Sequence, residues 1–200
     1  MLINGFILKN ILFYRKILSN TSSFNKNRYI CTNGAIAIPS MKNIDIVTNI
    51  VVCDYTELNE TQKKLVDQAK EACKHAYAPY SHFHVGAAAM LDNGVIVTGN
   101  NQENAAYPSG TCAERTTLFW AGAQHPDKAV EAMAIAARTE NGEVERPISP
   151  CGACRQVMLE TEVRFSRPMR IILYGAQECY IIEGGTKELM PLSFSSDFLK

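Results

Sequence analysis

Between Thr56 and Tyr77 the chain reads TELNETQKKLVDQAKEACKHAY, with apolar positions at Leu58, Leu65, Ala69, Ala72, Cys73 and Ala76. These spacings fall close to one face of a helix, and Thr56 or Asn59 can cap its start. APYSHF then reads as a turn and HVGAAAML as a strand rich in small residues. Asp92–Asn93–Gly94 is a hairpin signal, and VIVTG is the returning strand. TCAERTTLFWAGAQH predicts a helix ending before Pro126. AVEAMAIAA predicts a buried strand, although its alanines keep a helix open as the rival reading. CGACRQVMLETE, preceded by Pro150, predicts another helix. MRIILYG and CYIIEG are two more strands, and TKELMPLSF is a short helix or turn before a tail. Helices and strands interleave without an internal repeat. The expectation is an α/β sandwich, one sheet with helices on its faces.

Residues 1–40 break this regularity. They contain no acid, many Asn and Ser, and short apolar runs interrupted by Asn4, Lys9, Asn10, Arg15 and Lys16. Those runs are too short for a membrane span, which needs ~20 largely apolar residues. The basic residues follow the apolar part, which is the wrong order for a secretory signal. The segment fits either a transit peptide or sequence upstream of a true start at Met41. We expect an extension over 1–40, disordered or non-native, and one domain over 41–200 that folds and works without it.

Composition narrows the class of partner. The whole chain is formally neutral, but from Met41 onward 15 basic residues face 20 acidic ones, a balance of −5. A polynucleotide binder needs a basic surface, so nucleic acid is not expected as a partner. No membrane partner is expected either. Seven cysteines at irregular spacing do not form a disulfide framework. They suggest a reducing compartment, expected to be the cytoplasm, where clustered cysteines bind metal or do chemistry.

Cys151 and Cys154 stand in SPCGACRQVM as a C-x-x-C pair. Alone, such a pair is a redox couple, half of a structural zinc site, half of a catalytic one, or chance. TCAER adds Cys112, with Glu114 two residues later. Both cysteine segments fall at predicted helix starts, where free N–H groups and the helix dipole favour a thiolate. Positions three apart share a helix face, so Cys151 and Cys154 can reach one ion. Three thiolates leave one tetrahedral position for water, as in a catalytic zinc site. A fourth ligand from His75, His82, His84, His125, Cys73 or Cys179 would instead close the site.

C-A-E, followed 37 residues after the Glu by P-C-x-x-C, resembles the zinc-dependent cytidine deaminase pattern. PYSHFHVGAA at Pro79–Ala88 resembles that family's base-side strand. GNNQENAAYPSGTCAER at Gly99–Arg115 resembles its ribose loop running into the zinc helix, and ELMPLSF resembles its C-terminal segment. The likeness spans roughly Thr56 to Phe198 and is nearest the small three-cysteine form. It implies a three-layer α/β/α sandwich around a mixed five-stranded sheet.

The resemblance also implies roles. Cys112, Cys151 and Cys154 would hold one Zn²⁺ per subunit, and Glu114 would shuttle protons between water and the base. Arg115 would donate to a ligand sulfur and offset the net negative charge of zinc with three thiolates. Asn101 and Glu103 match the N-x-E that binds ribose hydroxyls, an amide and a carboxylate that suit a sugar, the acidic residue favouring nucleosides over nucleotides. Phe83 would stack on the pyrimidine, and Ala113 would line the base pocket. Ala105, Tyr107 and Phe194 would reach the site of a neighbouring subunit, in a homotetramer with shared active sites. Two departures stand out: His84 replaces a common Pro, and Thr117 replaces a common Ala. Trp120 reads as a core or interface residue of the zinc helix.

The implied activity is hydrolytic deamination of cytidine and deoxycytidine in pyrimidine salvage, with the nucleoside and water as partners. Rival readings are deamination of another aminated base, a non-catalytic zinc-bound nucleoside-binding domain, and a thiol–disulfide oxidoreductase. The intact Glu114 speaks against the second, and zinc that survives mild oxidant would exclude the third.

Overall fold

The computed structural model describes residues 42–199, together with the backbone ladder of β1 (Ile30–Cys31) and β2 (Gly34–Ala35). The chain separates into two units, Met1–Asp45 and Ile46–Lys200. In the first, β1 and β2 pair antiparallel, Ile30 against Ala35 and Cys31 against Gly34. Apart from that ladder, the expectations for residues 1–40 lie outside the described residues.

In the second unit the helical stripe becomes α1 (Glu60–Cys73). Asn59 is its cap: its side chain accepts from the Gln62 amide, and Gln62 accepts from the Asn59 amide in return. Such reciprocal caps satisfy two amides that a helix start leaves orphaned. Leu65, Ala69, Ala72 and Cys73 of the expected face are buried, and Val66 is buried beside them. Burying Leu65 and Val66 stabilises the fold by about 1.5–3 kcal/mol each. Thr56, the rival cap, sits in a 3-10 turn over Tyr55–Glu57.

The strands are β3 (Val51–Cys53), β4 (His84–Leu91), β5 (Ile96–Asn100), β6 (Val130–Thr139), β7 (Gly142–Glu143), β8 (Arg170–Tyr174) and β9 (Cys179–Ile182). The order is β3-β9-β8-β6-β4-β5, with β7 paired to β6. Among the described strands of this sheet every pairing is antiparallel except β6 with β8, so the sheet is mixed. It has seven strands rather than the expected five. The additions are β3 and β7, of three and two residues, too short to show an alternating pattern in sequence.

Alternation along β4 and β6 sorts residues onto two faces. Ala88, Ala132, Ala134 and Ala136 pack with α1, while Ala87, Ala89, Leu91, Met133 and Ile135 face the other layer. Both faces are buried, which is why these strands read as continuous apolar runs. The small residues let α1 approach closely. A Cβ at Gly86 would collide with the Ala69 carbonyl and the Cys73 amide.

The opposite layer is α2 (Ala113–Gln124) and α3 (Gly152–Phe165), with Leu118, Ala121 and Met158 in its core. The short α4 (Thr186–Leu189) follows β9. Helices on both faces of one mixed sheet make the expected α/β/α sandwich. AVEAMAIAA is a strand, as expected, buried within β6. Trp120 is 54% exposed, so of its two expected roles the core one does not hold.

Candidate active site

Cys112 is the N-cap of α2 and Cys151 the N-cap of α3, each with extended backbone and no capping bond from its thiol. Cys154 lies one turn into α3 and is fully buried. The two helix starts converge. The Sγ atoms of Cys112 and Cys151 are 3.8 Å apart, those of Cys151 and Cys154 are 3.4 Å apart, and all three lie within 4.8 Å of one another. Four ligands at ~2.3 Å around tetrahedral zinc stand ~3.8 Å from each other, so this triangle fits the ion. Among the described residues this is the only group of three or more His, Cys, Asp or Glu side chains arranged to hold a metal. None of the four histidines joins it, so three thiolates leave a fourth position to water or substrate.

Electrostatics favour a thiolate here. A hydrogen bond from Cys154 and the nearby Arg115 guanidinium pull the Cys112 thiol down to about 5, against burial. The Cys154 thiol moves up, as the partner that keeps its proton beside that thiolate. Arg115 Nη2 points at Cys112 Sγ from 3.9 Å. Its Nε is buried without a hydrogen-bond partner.

Glu114 is 4% exposed and lines the same cleft as Cys112 and Cys151. Burial pushes its carboxyl above the usual carboxylate range, and the Cys112 charge adds to this. A buried carboxyl whose proton is held more tightly than usual is suited to general acid–base work.

Cys112 and Cys151 line a cleft of about 460 Å³. Phe83, Asn101, Glu103, Tyr107, Ala113, Glu114 and Arg115 line it with them. Buried Cys154 does not. Ala105 and Phe194 are exposed and do not line it. Phe194 instead stacks on Phe198, with ring centroids 5.8 Å apart. Tyr107, 76% exposed, meets Tyr80 edge-on at 6.3 Å.

Asn101 and Glu103 do more than the sequence suggests. The Asn101 Oδ1 accepts from the Val85 amide at 2.8 Å, and its Nδ2 donates to the Phe83 carbonyl at 2.9 Å. Glu103 accepts from the amides of Tyr80 (2.9 Å) and Ser81 (3.3 Å), and from the Ser81 hydroxyl. The Ser81 hydroxyl also accepts from the Phe83 amide at 3.1 Å. These bonds, led by that from Ser81, hold the Glu103 carboxyl below its usual range. Both side chains therefore brace the turn that carries Phe83. Sequence reasoning missed Ser81, Ile148 and Ser149 as lining residues. Ser81 stands two residues before Phe83, and Ile148 and Ser149 directly precede the P-C-x-x-C, so adjacency was the available signal.

The two departures from the family pattern are accommodated. His84 opens β4 opposite Arg138 in regular strand geometry. Thr117 is fully buried, its hydroxyl donating to the Ala113 carbonyl at 2.8 Å and lying 3.3 Å from the Ala87 carbonyl.

The family model for the cytidine and deoxycytidylate deaminase zinc-binding region matches residues 59–166. The cytidine deaminase of Halalkalibacterium halodurans is 38% identical over 136 residues, spanning 68% of this chain and 96% of its own. That of Sporosarcina psychrophila is 46% identical over 98 residues, 49% of this chain and 68% of its own. The crystal structure of cytidine deaminase from Burkholderia pseudomallei superposes with a TM-score of 0.57 at 38% identity, covering 66% of this chain and 98% of that one. With the matched region holding all three cysteines and Glu114, the chain belongs to the cytidine and deoxycytidylate deaminase family.

Proposed function

We propose that the cleft deaminates cytidine and deoxycytidine hydrolytically, giving uridine or deoxyuridine and ammonia in pyrimidine salvage. The observation that carries this is the triangle of Cys112, Cys151 and Cys154 sulfurs beside buried Glu114. Cys112, Cys151 and Cys154 would hold Zn²⁺, which when bound would supply Lewis acidity toward a water in the cleft. Glu114 is the catalytic acid–base: it takes the proton of the attacking water and delivers it to N3 of the pyrimidine. Once C4 has taken up the water's oxygen, Glu114 collects the second proton from the C4 hydroxyl and hands it to the amino nitrogen; the C4–N bond breaks, the C4 carbonyl forms and ammonia leaves. Arg115 holds Cys112 as thiolate from its 3.9 Å position. Phe83 packs on the pyrimidine ring, and Ala113 lines the cleft.

Asn101 and Glu103 bind the ribose. A carboxylate has about four acceptor sites. Three are filled by Tyr80 and Ser81, which leaves one for a sugar hydroxyl. A carboxylate held ionised there repels a phosphate, which selects the nucleoside.

We infer also that the enzyme is a homotetramer in which Ala105, Tyr107 and Phe194 reach neighbouring sites. Their exposure supports this, as do Phe119 and Trp120, 58% and 54% exposed on α2. We place the protein in the cytoplasm, on the free thiols of the described cysteines. Residues 1–40 are proposed as dispensable, and no nucleic-acid or membrane partner is proposed. Among the described residues no helix is long and apolar enough to cross a membrane.

The test is product analysis. Purified protein given cytidine should release uridine and ammonia in equal amounts. Full zinc loading without either product would contradict the reading.

A further inference from the structure

Arg155 follows Cys154 in the first turns of α3. Its guanidinium reaches three places at once. Nε donates to the Pro150 carbonyl at 2.8 Å, Nη2 to the Ser149 hydroxyl at 2.8 Å, and Nη1 to the Leu189 carbonyl at 2.5 Å. The first two belong to the irregular segment that delivers Cys151 to the start of α3. The third is a carbonyl at the end of α4, one of those a helix end leaves without an internal partner. The next residue extends the contact, because Gln156 Nε2 donates to the Phe194 carbonyl at 3.0 Å.

We propose that Arg155 is a positioning residue that ties the Cys151 loop to the C-terminal segment, so that each holds the other in place. The proposal rests on the zinc reading of Cys112, Cys151 and Cys154. The Pro150 carbonyl is one peptide from Cys151, so a shift there moves one ligand of the three. A planar fork with donors fixed in three directions can span these acceptors, and an ammonium on a flexible stem cannot. The loop has no ladder of its own at Ser149 and Pro150, so the guanidinium replaces secondary structure there. The C-terminal segment is held at its start by the Thr186 amide on Glu162 and by Thr48 and Asn49 on Glu188, and from Leu189 to Phe194 by Arg155 and Gln156. Loosening that segment therefore loosens the metal loop, and the reverse.

The experiment compares zinc-loaded, full-length wild type with Arg155→Met and Arg155→Lys. Two quantities are read: the rate of zinc release to a colorimetric chelator, and amide hydrogen exchange over residues 186–194. Supporting contacts of metal ligands change affinity by roughly 10–100-fold, so release should quicken about tenfold or more in both variants. Exchange over 186–194 should quicken with it, and Lys should not rescue either. Leu65→Ala, in the core under α1, is the control. It lowers the melting temperature and leaves zinc release unchanged, which separates positioning from general destabilisation. If Arg155→Met does not fold, Arg155→Lys carries the comparison. Wild-type release, or wild-type exchange over 186–194, in a folded Arg155 variant would overturn the proposal. A wild-type chain that takes up no zinc would overturn the metal reading beneath it, a distinguishable result.

Discussion

Gly99 to Ala is a one-carbon change that tests how rigidly the fold aims the site. Gly99 lies in β5 under the zinc helix α2. A Cβ there would sit 2.6 Å from Thr117 Oγ1, 2.8 Å from the Thr117 amide nitrogen and 3.1 Å from its Cα. Ordinary contacts begin near 3.4 Å, so the helix backbone must retreat by about 0.6 Å. Overpacking of this kind costs about 1–3 kcal/mol. At roughly 2–4 °C per kcal/mol for a domain of this size, the melting temperature should fall by about 2–12 °C. Cys112 and Glu114 ride on α2, whereas Cys151 and Cys154 ride on α3, so the shift opens the triangle. A misplacement of ~1 Å can cost ~10²-fold in rate, so a shift about half as large should cost roughly tenfold in kcat at full zinc loading. Thr117→Ala in the same chain removes the 2.6 Å clash but leaves the two backbone ones. It should restore stability only in part. The assay is thermal melting and steady-state cytidine turnover on zinc-assayed protein. Wild-type melting and turnover in Gly99→Ala would refute the reasoning.

Asn101→Ala removes the two bonds that brace Phe83 and Val85; at ~1 kcal/mol per bond it should raise KM several-fold, measured by steady-state kinetics. Cys151→Ser should retain the fold by circular dichroism but lose most zinc, because it breaks the triangle without touching the buried core. Glu162, buried where α3 ends, accepts from the amides of Met169 and Thr186. Burial raises its carboxyl above the ordinary value. The folded state thus prefers the protonated form, and the stability this contributes is present at acid pH and lost as pH rises through the raised folded value. Glu162→Gln keeps an acceptor for both amides and removes that loss. It should be at least as stable as wild type at neutral pH, with the advantage vanishing below the unfolded carboxylate range in pH-dependent denaturation.

The site was legible where chemistry needs particular residues at particular spacings. C-A-E and P-C-x-x-C mark three thiols and a carboxylate, and two helix starts bring them together. The helix of Glu60–Cys73 was legible through its apolar stripe and Asn59 cap, and the central strands through apolar runs buried on both faces. What was not legible depends on contacts between distant segments. β3 and β7 exist because β9 and β6 offer them partners, and nothing within three or two residues announces that. The double duty of Asn101 and Glu103 arises because the Phe83 turn folds back over them. Arg155 reads as a helix residue until α4 places a bare carbonyl beside it. Trp120 read as core or interface, and only the packing of distant elements decides between them: α2 presents it outward, which removes the core alternative.

The most direct test of the account is Glu114→Ala, with zinc and cytidine turnover measured in the same purified sample. The carboxylate is not one of the three sulfur ligands, so the variant and the wild type should each carry about one zinc per chain. General acid–base groups contribute roughly 10²–10⁴-fold, and turnover should fall by at least that factor. Wild-type turnover in the zinc-loaded variant would contradict the role of Glu114 and with it the proposed mechanism.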